Sequence, residues 1–122
     1  MACGGHSTPH THARSETIIH LIAGHAATLA AERLELVAVH APGSVLYIAP
    51  GIPHVALNLS DDQEMAALET RTEPRFDDVV PLPDLDQLAS ERVGEVRKAY
   101  RAGEFDPQFA RPRTVTVTPR RA

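Results

Sequence analysis

Apolar residues run through the first 72 positions in short bursts, each closed by turn residues. Thr17 to Ala23 reads TIIHLIA and stops at Gly24; Ala26 to Ala30 reads AATLA; Leu34 to Val39 reads LELVAV. Val45 to Ile48, His54 to Leu59 and Met65 to Thr70 follow. Between them lie Glu32-Arg33, His40-Ala41-Pro42-Gly43, Pro50-Gly51-Ile52-Pro53 and Ser60-Asp61-Asp62. β-branched bursts at regular intervals, with Gly, Pro and Asp between them, predict short antiparallel strands and an all-β barrel or sandwich. AATLA and LELVAV have helix-compatible composition, but their brevity between turn signals favours strand.

The pattern changes after Thr72. Glu73-Pro74-Arg75-Phe76 and Val80-Pro81-Leu82-Pro83 form a proline-punctuated connector. Asp84 then opens a helix: Asp84 and Gln87 have capping-box spacing, and Gly103 is a stop. Leu85, Leu88, Val93, Val96 and Tyr100 make an imperfect apolar stripe, suited to packing on the outside of the barrel or across a dimer. Thr114 to Thr118 alternates as a strand does, and is read as a strand added to a partner's sheet edge or as unstructured tail. The chain thus divides into a β-barrel over residues 1–80 and a helical extension with a tail over 81–122.

Histidines carry the candidate chemistry. His10 and His12 are one residue apart, so on a strand they point to the same face. His54 follows the Pro-Gly turn at 50–53. Imidazole is the commonest metal ligand, and three protein ligands leave positions open for water or substrate. The paired spacing, with a third histidine after the Pro-Gly turn, favours ligation of one divalent metal over a structural role for these three residues.

The two blocks resemble the signature motifs of the cupin superfamily. In the first, Gly4 stands five residues before His10, and Glu16 follows His12 after three residues, with Gly24 at the end. In the second, Gly43, Gly51, His54 and Asn58 fit, and Ala49 replaces a proline. The resemblance spans roughly residues 4–72. It implies a small antiparallel jelly-roll barrel and a metal held by His10, His12 and His54. Counted from His12, Glu16 is the fourth ligand; counted from Gly24, Thr17 takes that place, and Glu16 points the other way as a base or a surface group. Tyr47 and Arg71 are assigned to the barrel interior as catalytic groups beside Glu16, where a phenol or guanidinium would orient an anionic substrate. Asn58 supports turn and strand geometry, and His20 is read as packing. The short lead-in, MACGGHST, leaves little to cover the sheet edge beside His10, which favours a homodimer.

Composition narrows the function. A chain of 122 residues, 43% hydrophobic and 23% charged, suits one globular domain. A formal charge of −4 argues against a general nucleic-acid binder, and Arg111, Arg113, Arg120 and Arg121 read as a solvated tail. No apolar run is long enough to span a bilayer, and no basic-then-apolar leader is seen. One cysteine, Cys3, fits a free thiol in a reducing cytoplasm. Aromatic residues make up only 4%, which favours a small polar substrate over a stacked one.

The expectation is therefore a metal-dependent enzyme acting on a small polar metabolite, alone or as part of a larger synthetase system. Zn(II) is favoured and Fe(II) is next. The zinc branch is non-redox rearrangement, isomerisation or cyclisation in a biosynthetic pathway. It is similar to cupins of natural-product pathways, including the nitrogen–nitrogen bond-forming zinc cupin of hydrazine synthetases. The alternatives are an Fe(II) dioxygenase and a non-catalytic cupin that binds a small molecule or a metal.

Overall fold

The computed structural model describes residues 1–119. Arg120 and Arg121 lie outside the described residues. The strands are β1 (His10–His12), β2 (Thr17–Ala23), β3 (Ala26–Ala30), β4 (Leu36–His40), β5 (Val45–Ile48), β6 (His54–Asn58), β7 (Ala66–Arg71), β8 (Val79–Pro81) and β9 (Thr114–Val117), with helices α1 (Asp86–Arg101) and α2 (Asp106–Phe109) before the last strand. They form a five-stranded sheet, β4-β3-β6-β1-β8, and a four-stranded sheet, β7-β2-β5-β9. The result is a jelly-roll-like sandwich of two open sheets, not a closed barrel. No helix among the described residues is long and apolar enough to cross a membrane.

Strand alternation sorts the side chains into two cores. Leu29, Val39, Val55 and Leu57 face outward from the five-stranded sheet and pack under Ala89, Val93 and Val96 of α1. Ala30 and Ala38, on the sheet's other face, meet Leu46, Ile48 and Val117 of the four-stranded sheet. Three or four buried aliphatic side chains on each side contribute about 1.5–3 kcal/mol apiece to holding the layers together. Leu34 was expected to begin a strand. Instead it sits fully buried in a left-handed turn at φ 54°, and β4 starts two residues later.

The extension is part of the same body. Arg97 donates to the carbonyls of Asn58 (2.7 Å) and Gly5 (3.2 Å), and Arg92 donates to that of Leu34 (3.1 Å), pinning α1 to the sheet. The expected capping box at Asp84 is not made. Pro83 to Leu85 forms a short 3-10 turn, and the helix begins at Asp86 with no side-chain cap. The stop at Gly103 is present: its φ is +78°, and Glu104 N–H reaches Ala99 O while Gly103 N–H reaches Tyr100 O. The tail strand pairs within its own chain, parallel to β5. Likewise β8, drawn from the connector, covers the edge of β1. The open edge expected from the short lead-in is therefore closed within the chain.

Candidate metal centre

Residues 10 and 12 share the inner face of β1, and the register sets His10 opposite His54 on β6. The Pro-Gly turn before β6 is hooked to β1 by a 2.8 Å bond from Gly51 N–H to His12 O. The three imidazoles converge as a result. Ring centroids lie 4.3 Å apart for His10 and His54, and 5.1 Å for each pair involving His12. One ring nitrogen from each falls within 4.8 Å of the others.

The backbone fixes two of these rings. His10 Nδ1 is 2.7 Å from Thr8 O, and His54 Nδ1 is 3.0 Å from Ile52 O. A carbonyl oxygen can only accept, so Nδ1 carries the hydrogen in both, and Nε2 keeps its lone pair. His12 differs: both of its ring nitrogens are buried without a hydrogen-bond partner. Glu69 Oε1 is 3.9 Å from its Nε2, and Asp78 Oδ1 is 3.9 Å from its Nδ1.

Electrostatics favour the ligating form. Burial, reinforced by His10, His12 and Arg71 against a bond to Ile52, pushes the His54 pKa down to about 4. His12 is lowered too, first by burial, then by Arg71 and His10, against the pull of Glu69 and Asp78. Neutral imidazole binds metal without first losing a proton. Three convergent nitrogens, two with fixed tautomers and one buried with nothing to bond, fit a divalent metal ion.

Glu16 is not brought to this cluster. Its exposed carboxylate accepts a 2.6 Å hydrogen bond from Tyr47, and its N–H is tied to Thr72 Oγ1. Tyr47 pairs with Ile18, on the opposite face from Ile48 and Leu46, so it too points away from the interior. Both residues are corrected as site groups, for one reason. Thr17, not Glu16, takes the inward position: it is 1% exposed, with its hydroxyl unpartnered. Arg71 pairs with Thr17 across β2 and β7 and shares that inner face. His20 is exposed on the outer face and does not pack.

Glu69 and Asp78 were missed. Glu69 is two residues before Arg71 on the same strand, so alternation alone gives it the same face. It pairs with the guanidinium at 3.2 and 3.3 Å. Asp78 lay in a stretch read as connector. It is buried, and its Oδ2 accepts from Ser15 Oγ (2.6 Å) and Arg14 N–H (3.0 Å). The bond from Ser15, aided by backbone N–H groups, holds its carboxyl at about 2 against burial.

His10 and His54 line a cavity of about 320 Å³ between the sheets, walled by Ile19, Ala56 and Ala67 with Glu69 and Arg71; His12 is buried and does not line it. That volume suits a small ligand. A larger cleft of about 450 Å³ lies between the Ala31–Glu35 turn, the Pro50–Pro53 turn and Val117–Pro119, and none of the three histidines lines it.

No curated protein matches the chain. Among solved structures it is similar to an uncharacterized conserved protein with a double-stranded beta-helix domain from Klebsiella pneumoniae subsp. pneumoniae MGH 78578. That pair shares 20% sequence identity with a TM-score of 0.48, over 66% of this chain and 57% of the other, so this chain spans little more than half of that neighbour. The sequence model of the cupin family matches residues 1–91, through both histidine blocks. With most of its length inside that match, the chain belongs to the cupin family.

Proposed function

We propose that this cupin is a metal-dependent enzyme acting on a small polar metabolite that carries an anionic group, by non-redox rearrangement, isomerisation or cyclisation in a biosynthetic pathway. The observation that carries it is the convergence of His10, His12 and His54, two of which, His10 and His54, line a cavity together with Arg71. Zinc is the favoured ion. A three-imidazole set with open positions suits it, and Glu16, the carboxylate that would make a three-His one-carboxylate set, is turned outward. Bound zinc supplies Lewis acidity, polarising a carbonyl or lowering the pKa of a coordinated water to about 7.

The chain's own groups divide the remaining work. Arg71 offers a planar, permanently charged fork for a carboxylate or phosphate. An incoming anion competes with Glu69 for it and frees that carboxylate next to the histidines. Ile19, Ala56 and Ala67 keep bulk water from one side of the cavity. The lone free thiol, Cys3, fits work in a reducing cytoplasm. The exposed Ile18, Ile22 and Leu68 on the outer face of the four-stranded sheet support a homodimer through that face. Light scattering at low concentration tests this, and a monomer refutes it.

The deciding test is elemental analysis of untagged protein by plasma mass spectrometry, beside the His54→Ala variant. About one zinc per chain, lost in the variant together with turnover, is the expected result. Iron in its place moves the assignment to a dioxygenase. No metal after loading overturns the enzyme reading in favour of a non-catalytic binding protein.

A further inference from the structure

We infer that Asp78 is the positioning residue of this centre: it fixes the tautomer of His12 so that the ring turns a bare Nε2 toward the ion. The inference rests on the reading of the three histidines as metal ligands. Thr8 O and Ile52 O perform this service for His10 and His54. No carbonyl does so for His12, whose two ring nitrogens both lack partners. Behind its Nδ1, at 3.9 Å, stands Asp78 Oδ1, which is itself buried and unpartnered.

Two complementary polar atoms left unpaired in an interior are costly, and Asp78 Oδ1 is unpaired, whereas Glu69 Oε1, equally far from His12 Nε2, already accepts from Arg71. A movement of about 1 Å brings Asp78 Oδ1 and His12 Nδ1 to hydrogen-bond distance. Asp78 cannot turn elsewhere, because Ser15 and the Arg14 N–H occupy its Oδ2. Oδ1 is therefore left over, aimed at His12. An ionised carboxylate has no hydrogen to give, so the bond requires hydrogen on Nδ1 and a lone pair on Nε2. A carboxylate behind a ligating imidazole orients the ring and raises its basicity.

Asp78→Asn separates this role from simple anchoring. Ser15 and Arg14 both donate, so the asparagine carbonyl must stay with them, and the anchor is kept. The amide NH2 then faces His12 Nδ1. As a donor it drives the ring hydrogen to Nε2, the wrong nitrogen for ligation. Ser15→Ala does the converse, loosening the anchor while leaving Oδ1 in place.

The experiment measures Zn(II) affinity by competition with a chromogenic chelator for wild type, Asp78→Asn and Ser15→Ala, and reads the His12 tautomer from long-range proton–nitrogen-15 spectra. Asp78→Asn is expected to bind zinc about 10–100-fold more weakly, with its ring hydrogen moved to Nε2. Ser15→Ala is expected to lose stability with the smaller loss of affinity. An Asp78→Asn affinity within about twofold of wild type, with an unchanged tautomer, overturns the role given to Asp78. If Asp78→Asn fails to fold, the wild-type spectrum decides: hydrogen on His12 Nδ1 supports the inference, and hydrogen on Nε2 overturns it. If wild type takes up no zinc, the metal reading falls by itself, and the tautomer comparison still judges Asp78.

Discussion

Tyr47 donates a 2.6 Å hydrogen bond to Glu16 on the outer face of the four-stranded sheet, one strand position removed from the inward Thr17 and Ile48. The pair is sealed off from the histidines by the sheet itself. Glu16→Ala should therefore leave the metal content of the protein unchanged, while His12→Ala lowers it. The same substitution should lower the Tyr47 pKa, because the bond to Glu16 is the main cause of its rise. Metal analysis and an ultraviolet titration of the phenol check both halves. Loss of metal from Glu16→Ala would return that carboxylate to the site.

How much of this was legible beforehand depended on the range of the cause. Strands announced by their own residues were readable. TIIHLIA ends at Gly24 because its φ is +91°, and a Cβ there would lie 2.9 Å from Glu64 O. His10 and His12 were readable because alternation is local, and His54 because the Pro-Gly turn precedes it. Glu16 and Thr17 could not be told apart, since parity is carried across the bend at Ala13–Ser15. That bend is set by Ala13 N–H reaching Asp78 O and by Arg14 N–H reaching the Asp78 carboxylate, contacts some 64 residues away in sequence. The capping box at Asp84 lost to the 3-10 turn that Pro83 begins. The alternation of Thr114–Val117 announced a strand but not its neighbour, which the parallel pairing with β5 supplies.

Arg71 is held by Glu69 on the inner face, beside the cavity. A charge-assisted contact is worth about 1.5–3 kcal/mol, so Arg71→Gln should weaken binding of small mono- and dicarboxylates by about 10–100-fold. Metal content should stay at the wild-type level. Arg71→Lys should restore only part of the affinity, since an ammonium group lacks the planar fork. Calorimetric titration of metal-loaded protein measures each constant. Equal affinity in wild type and Arg71→Gln would remove the anion-binding role.

Asn58 closes the first turns of the chain onto β6. Its amide nitrogen donates to Met1 O and Ala2 O at 3.2 Å and to Gln63 O at 2.8 Å, and its oxygen accepts from Ser60 N–H at 2.9 Å. The side chain is fully buried. Asn58→Ala should cost about 2–3 kcal/mol, since it removes several part-buried hydrogen bonds at once and leaves the buried Ser60 N–H unpaired. Asn58→Asp should cost more at neutral pH, because a carboxylate cannot donate to three carbonyls and is repelled by them. Urea unfolding ranks the variants. A cost for Asn58→Ala below about 0.5 kcal/mol would mean that water replaces these bonds freely.

His40 makes stability depend on pH without touching the metal question. Its ring is 4% exposed, with Nε2 3.1 Å from Thr28 Oγ1. Burial, with a smaller push from Arg113, lowers its pKa from 6.5 to about 4. In the window between those values the unfolded chain binds a proton that the native protein does not, so stability rises with pH. The contribution is complete above the unfolded value and is lost as pH falls through the folded one. A shift of this size is worth on the order of 3 kcal/mol at most. His54 is displaced in the same direction to about 4, again chiefly by burial, and adds to the slope. Metal-free wild type should therefore lose urea resistance steadily between about pH 6.5 and about pH 4. His40→Gln, which keeps a polar group near Thr28 but cannot be protonated, should show a clearly shallower loss over that window. Identical slopes for the two proteins would mean that His40 meets a proton as readily in the folded state as in the unfolded one.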